Sequence, residues 1–197
     1  MRLSYVAVFF ALLLGFADVA HAQLPASPRG QAQTQIGSRE GPWITVDYGR
    51  PILRGRTNIF GSGEEYGKSL YAGAPVWRLG ANQSTSLMTE TDLMIGGQHV
   101  PAGTYTMFAE LNSPTSWTLI ISNHKGKVNP RDENEEGIWG SYGYSPDMDV
   151  ARATMQTTSV DASVDQLSIV FMDVSANGGL MGVVWGNTMA MVPFQVH

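Results

Sequence analysis

Hydrophobic and polar residues alternate in short segments along most of the chain, and glycine, proline or asparagine separates one segment from the next. No segment keeps apolar residues at i, i+3 and i+4 for three turns, as an amphipathic helix would. Short strands at close spacing with such turns are typical of an all-β fold. We predict a single domain that forms an antiparallel β-sandwich of jelly-roll-like or barrel-like shape.

Residues that favour turns bound the predicted strands. Gly96-Gly97 separates two β-rich segments and predicts a two-residue hairpin turn. We interpret 61–73 as a long flexible loop and 122–149 as a polar loop that decorates the sheet. The predicted strands cover 43–48, 92–95, 98–100, 104–111, 117–121, 150–158, 166–174 and 180–196, the last folded on itself around Gly186-Asn187.

The N-terminus has the pattern of a secretory signal peptide. A basic start and an apolar run precede Ala20-His21-Ala22, which fits the small-x-small cleavage pattern. We therefore expect residues 1–22 to be a signal peptide, and 23–41, rich in Gln, Pro, Gly and Ser, to be a flexible leader. Residues 42–197 then form the β-sandwich domain.

Composition and charge narrow the location and the partners. The chain has no cysteine, which excludes disulfides, thiolate metal sites and a cysteine nucleophile. We expect export to the periplasm or outside a bacterial cell, since eukaryotic secreted domains usually carry disulfides. No later segment is long enough to span a membrane. The net charge of −5, without a basic face, argues against a nucleic-acid partner.

Motifs of known chemistry are incomplete in this chain. Gly67-Lys68-Ser69 resembles the end of a phosphate loop, but no glycine stands at the required spacing before it. The histidines are isolated, so we predict no metal and no cofactor. A hydrolase that uses Asp147 or Asp149 with Arg78 stays open as an alternative, because the separation of paired carboxylates is spatial.

The residue types that suit a small polar ligand are concentrated in the first half of the domain. Aromatic rings stack on the apolar faces of sugars, while guanidinium and amide groups hold hydroxyls and carboxylates. The opposing interpretation makes Trp77 a core residue and Arg78 a strut that caps carbonyl groups, with Gly80 and Gly103 in left-handed turns. The candidate ligand-binding residues are Tyr48, Arg50, Arg56, Trp77, Arg78, Asn82 and Trp139.

Several sequence blocks resemble those of the DUF2911 family of bacterial proteins: YGRP (48–51), RGR (54–56), VWRLGAN (76–82), VPAGTYTMF (100–108) and WTLIISN (117–123). The resemblance covers about 43–174 and implies an exported all-β domain without an established activity. Two features differ from the family pattern. Residues 62–75 form an extended connection, and Gln83 stands where an acidic residue commonly follows GAN. If that acid is catalytic or binds a metal, this chain lacks the function.

Three hypotheses follow from the sequence. The leading one is a non-catalytic exported module that binds a small polar or carbohydrate-like ligand or an envelope protein. The first rival is the hydrolase described above. The second rival is a purely structural envelope protein in which the family motifs serve folding alone.

Overall fold

The computed structural model describes residues 27–197, so the predicted signal peptide and the first residues of the predicted leader lie outside the described residues. Short helical turns occur at 63–65 and 146–148, and a one-turn helix, α1, spans Lys68–Tyr71. The strands are β1 (Arg29–Gln35), β2 (Trp43–Gly49), β3 (Thr85–Thr89), β4 (Leu93–Ile95), β5 (Gln98–Val100), β6 (Gly103–Ser113), β7 (Ser116–Ser122), β8 (Lys125–Gly126), β9 (Gly137–Ile138), β10 (Asp149–Ser175) and β11 (Gly178–Val196).

Within residues 27–197, nine strands form one antiparallel sheet in the order β1-β2-β3-β6-β7-β10-β11-β4-β5, and β8 pairs with β9 separately. The all-β, antiparallel, single-domain prediction is confirmed. The long strand β10 contacts both ends of the sheet. The Ile169 N–H donates to the Tyr48 hydroxyl of β2, and the Arg152 N–H donates to the side chain of Gln98 in β5. These contacts fold the sheet around one core.

Three tryptophans occupy the centre of that core. Trp77 packs edge-on against Trp117 at 5.9 Å between ring centroids and stacks on Trp185 at 6.4 Å. Each indole N–H has a partner, because a buried donor without one is costly. Trp77 donates to the Gly80 carbonyl and Trp117 donates to the hydroxyl of Tyr66. Trp185 donates to a backbone carbonyl of β10.

A second, smaller apolar cluster lies on the outer face of the sheet. Val76, Phe108 and Ile120 are buried there, and Ile138 and Tyr144 pack over them. Alternation along β6 and β7 directs Phe108 and Ile120 away from the main core. The polar segment 122–149 therefore covers part of the sheet and buries apolar surface of its own.

Several sequence predictions need correction. Residues 29–35 of the predicted flexible leader form β1, which pairs along its whole length with β2. The segment 180–196 does not fold back at Gly186. It continues as β11, and Gly186, at φ +58°, marks a bulge opposite Val164. The hairpin turn lies instead between Ser175 and Gly178. The Gly96-Gly97 turn is confirmed, with φ +62° and +78°.

The segment 61–73 differs from the expected flexible loop. It contains the turn at 63–65 and α1, and its tyrosines are anchored on the sheet. The Tyr71 hydroxyl accepts the Leu111 N–H at 2.7 Å, and Tyr66 receives the bond from Trp117. The segment thus packs against the core at the end of β6 and β7. Among the described residues, no helix has the length and apolar character needed to cross a membrane.

Candidate functional site

A cleft of about 600 Å³ lies between β1, β3, β6 and the segment 123–128, and we name it the largest cleft because the second cleft described below has about 460 Å³. Three cationic side chains line it: Arg29, Lys125 and Lys127. Across residues 27–197, no aspartate or glutamate lines this cleft. In a chain of net charge −5, that arrangement creates a local positive region.

Neutral hydrogen-bonding groups complete the lining. Hydroxyls come from Ser86 and Thr104, and side-chain amides come from Gln83 and Asn123. The pairing of β3 with β6 positions the hydroxyls, because Ser86 lies opposite Thr106, and alternate side chains share one face of a sheet. The next positions, Leu87 and Tyr105, point into the core.

Buried hydroxyls join the wall of the cleft to the sheet. The Ser84 hydroxyl donates to the Gly140 carbonyl at 2.6 Å, and the Thr106 hydroxyl donates to the His124 carbonyl. The Ser145 N–H donates to Nε2 of His124 at 2.9 Å, which holds the ring beneath the loop. Thus Ser84 and Thr106 support the wall, while Ser86 and Thr104 keep their hydroxyls at the cleft.

Two acids lie behind the cationic wall rather than in the cleft. Glu136 pairs with Lys125 at 2.7 Å, and this contact raises the pKa of the Lys125 ammonium. Both side chains are exposed, so water screens the pair. Asp132 accepts the backbone N–H groups of Asn134 and Val128, which lowers the pKa of its carboxyl and closes the loop that follows Lys127.

The structure does not bring the predicted ligand-binding residues together in one cleft. Trp77 is 1% exposed and belongs to the core, as the opposing interpretation expected. Tyr48 is 2% exposed, and its hydroxyl accepts a backbone N–H from β10. Neither ring can stack on a ligand. Arg50 lies nearby, and its Nε donates to the Leu167 carbonyl at 3.4 Å. Trp139 is half-buried in the segment between β9 and β10.

Arg78 joins two segments of the protein. Its Nη1 donates to the Asn82 carbonyl at 2.6 Å, and its guanidinium lies 5.2 Å from the ring centroid of Tyr142. A Cβ at Gly140, which has φ +64°, would stand 2.5 Å from the guanidinium carbon, so a side chain there would strain the backbone and displace the guanidinium. Within VWRLGAN, the left-handed residues are Leu79 and Asn82, at φ +50° and +66°. The prediction of left-handed Gly80 and Gly103 is wrong, because neither has positive φ.

Arg56 and Asn82 do meet, in a second cleft of about 460 Å³ that Arg54 also lines. Arg56 donates from Nη2 to the Ile52 carbonyl at 2.8 Å and lies over the ring of Trp185. The Asn82 amide donates to the Ser27 carbonyl at 3.2 Å. These residues are exposed at the cleft and held by the protein at the same time.

The carboxylates of the hydrolase alternative have other partners. Asp149 accepts from the Tyr144 hydroxyl at 2.7 Å and from Arg152 at 2.8 Å. Burial and this bond raise the pKa of Tyr144. Asp147 is exposed and accepts from the Ser145 hydroxyl. Among residues 27–197, neither aspartate contacts Arg78.

The residues of the largest cleft are missing from the sequence-based set. Lysines at 125 and 127 on a polar loop look like ordinary solvated residues, and serine and threonine in β3 and β6 look like the wet face of a sheet. The one available signal is the pair of hydroxyl-bearing strands at 84–86 and 104–106, each with its alternate positions polar. Only the register places those strands side by side and beneath the loop.

The family is decided by comparison of the whole sequence. The model of the family described as "Protein of unknown function (DUF2911)" matches residues 27–194. The chain belongs to the DUF2911 family. The match begins just before β1 and ends within β11, so it covers nearly the whole sheet and extends beyond the 43–174 of the resemblance. No curated protein and no solved structure matches this DUF2911 chain.

Gln83 is the position at which the family resemblance led us to expect an acid. In this DUF2911 protein the residue after GAN lines the largest cleft. An acid at that position would add a negative charge beside Arg29 and the lysines. The amide leaves the cleft without one.

Proposed function

We propose that this DUF2911 protein is an exported binding module whose largest cleft holds a small anionic polar ligand, with acidic sugars as the ligand class. The observation that carries the proposal is the lining of that cleft. Arg29, Lys125 and Lys127 lie around hydroxyl and amide groups, and no carboxylate of the described residues lines the cleft, since Glu136, the partner of Lys125, lies behind the cationic wall.

The chemistry of the lining supports an acidic sugar. Hydroxyls both donate and accept, and amides do the same, so they match the hydroxyls of a saccharide. Cations form charge-assisted hydrogen bonds to a carboxylate, which are stronger than neutral ones. The cleft of about 600 Å³ is within the size range of small-molecule sites. Three cations would be excessive for a neutral sugar.

Export is part of the proposal, and it rests on the signal-peptide pattern of residues 1–22. A non-catalytic role is favoured because the cleft lining has no carboxylate among the described residues and its His124 is tied to Ser145. Glycoside hydrolysis would need a general acid at the scissile bond.

The test is a titration followed by amide NMR spectra of the domain, with D-galacturonate and the matched neutral sugar D-galactose. We expect galacturonate to shift the amides of Thr104 and Gly126, and galactose to bind much more weakly. Lys127→Gln should weaken galacturonate binding roughly ten-fold, the effect of losing one charge-assisted contact of about 1.4 kcal/mol. Raised salt should weaken it as well.

Lys68→Gln is the matched control, because Lys68 is an exposed lysine of α1 that pairs with Glu65 outside the cleft. It should leave binding unchanged. Equal affinity for the two sugars, or equal affinity of wild type and Lys127→Gln, would contradict the proposal. Absence of any shift at the cleft with either sugar would favour the purely structural role.

A further inference from the structure

The second cleft, which Arg54, Arg56 and Asn82 line, has the same chemical character as the largest cleft. Its volume is about 460 Å³, and its other lining residues are Ser27 and Ile52. Both arginines are exposed. Within the described part of the chain, this cleft also has no carboxylate in its lining.

The two clefts are neighbours across one short piece of backbone. Ser27 lines the second cleft and Arg29 lines the largest one, so residues 27–29 separate them. Asn82 and Gln83 divide in the same way between the second cleft and the largest one. Two residues of extended chain cover about 7 Å, so the separation is short.

This boundary is fixed to the rest of the protein. The Arg50 N–H donates to the Pro28 carbonyl at 2.8 Å, and the Asn82 amide donates to Ser27. This piece of backbone is therefore held in place between the cations on its two sides. They are Arg29, Lys125 and Lys127 on one side, and Arg54 and Arg56 on the other.

We infer that the two clefts form one continuous site for an acidic polysaccharide, a chain of sugar units with repeated carboxylates. This inference rests on the proposed function and extends it from a single unit to a chain. One acidic unit occupies the largest cleft, and a following part of the same chain crosses residues 27–29 and reaches Arg54 and Arg56. Joined units bind more tightly than separate ones, because the second contact is intramolecular.

A nucleic acid fits the linings less well. Sites for single-stranded nucleic acid combine cations with exposed aromatic rings on which bases stack. Two of the described lining residues of the two clefts carry aromatic rings. Tyr105 is 9% exposed and donates its hydroxyl to the Pro101 carbonyl, and the His124 imidazole is half-buried and packs against Phe108 and Tyr144. Hydroxyl and amide groups dominate the remaining surface.

The test is a calorimetric series with galacturonate oligomers of increasing length, from the single sugar to the hexamer, against neutral maltohexaose. We expect the hexamer to bind at least ten-fold more tightly than the monomer, and maltohexaose not to bind. Arg54→Gln should remove most of the gain with length while the monomer still shifts Thr104 and Gly126 in NMR spectra. Lys68→Gln should behave as wild type.

The outcomes separate this inference from the proposed function. If the monomer binds but length adds nothing, or if Arg54→Gln binds the hexamer as wild type does, the continuous site is refuted and the small-ligand function stands. If neither monomer nor hexamer binds, the proposed function fails first. Tighter binding of oligothymidylate than of the hexamer would also refute the inference, in favour of nucleic acid. Equal melting temperatures of Arg54→Gln and wild type show that folding is retained. Arg29→Gln is the second variant, and it should weaken the binding of both the monomer and the hexamer.

Discussion

The segment VWRLGAN (76–82) and the loop 123–128 both pack against residues 137–141, but they direct their side chains differently. The Val76 carbonyl accepts the Ser141 hydroxyl, and Arg78 lies against Gly140. On the other side, β8 pairs with β9, and the Lys127 N–H donates to the Ile138 carbonyl. VWRLGAN buries its tryptophan and uses its arginine between segments, whereas the loop leaves its lysines at the largest cleft.

This difference suggests a division of roles, in which residues 76–82 stabilise the fold and the loop 123–128 contacts a ligand. A substitution in residues 76–82 would break contacts inside the protein, so it should lower the free energy of unfolding. Lys125 is exposed and Lys127 is half-buried, and both line the largest cleft, so changes there should appear in ligand affinity. Four predictions test this division, in order of decreasing effect.

The largest effect is expected at Trp77. Trp77→Ala removes a fully buried ring that packs on Trp117 and Trp185, which should lower the free energy of unfolding by about 3–5 kcal/mol. Denaturant unfolding measures the change, and Trp77→Phe, which keeps a ring, should cost less. A loss below about 1 kcal/mol for Trp77→Ala would show that the ring does not support the core.

Gly140 should matter because of its neighbour. Gly140→Ala forces a side chain onto φ +64° and places Cβ against the Arg78 guanidinium, so we expect a loss of about 1–3 kcal/mol. Part of that loss should disappear in the Arg78→Ala background, where the clash is absent. A double-mutant cycle from unfolding data measures the coupling. Strictly additive losses would contradict the contact between the two segments.

The third prediction concerns Glu136, the partner of Lys125 in the loop 123–128. Glu136→Gln removes the partner of Lys125, so the ammonium becomes free to meet an anionic ligand. We expect affinity for galacturonate to rise about two- to five-fold, with little change in melting temperature, because exposed ion pairs contribute little to stability. Glu64→Gln, a change at another exposed acid, is the control. Weaker binding by Glu136→Gln would mean that the pair positions Lys125 for the ligand.

The smallest effect is expected when the pH is lowered, because Asp132 then loses its hydrogen bonds to Val128 and Asn134 in the loop. The pKa of Asp132 is lowered from 3.8 because the carboxylate accepts the N–H groups of Asn134 and Val128. A lowered pKa means that this support is complete above pH 3.8 and is lost as pH falls through the lower folded-state value. Amide hydrogen exchange at Val128, corrected for the intrinsic effect of pH on exchange, should therefore increase below pH 3.8 relative to its corrected value at pH 6. In Asp132→Asn that acid-dependent increase should be reduced, and an equal increase in both proteins would remove Asp132 as its cause.

The sequence contained enough to predict the all-β fold and the hairpin at Gly96-Gly97, because alternation and turn glycines are local signals. We did not predict β1, because its residues are mostly Gln, Thr and small side chains and show no alternation of apolar and polar positions. An edge strand needs one apolar contact face at most, and Ala32 supplies that contact. Gly186 was misplaced as a turn because a bulge in a long strand and a hairpin both use glycine at positive φ.

The candidate site was harder to predict because it depends on register. Arg29, Ser86, Thr104 and Lys127 are far apart in sequence, and each alone looks like an ordinary surface residue. We predicted a binding site in VWRLGAN because an aromatic and a guanidinium group lie next to each other there. Trp77 is instead buried in the core, where it packs on Trp117 and Trp185. Arg56 and Asn82 show the mixed case, since both are held by backbone groups and still face a cleft.

The position of β11 in the sheet determines when the protein can fold during its synthesis. Phe194, Gln195 and Val196 pair with β4, and through β4 they attach β5 to the rest of the sheet. β11 is also the strand that brings Trp185 to the other two indoles. A nascent chain that has been translated only as far as β10 therefore has two strands without a sheet and a core without its third tryptophan. We therefore expect the native sheet and the tryptophan core to be complete only after β11 has been made.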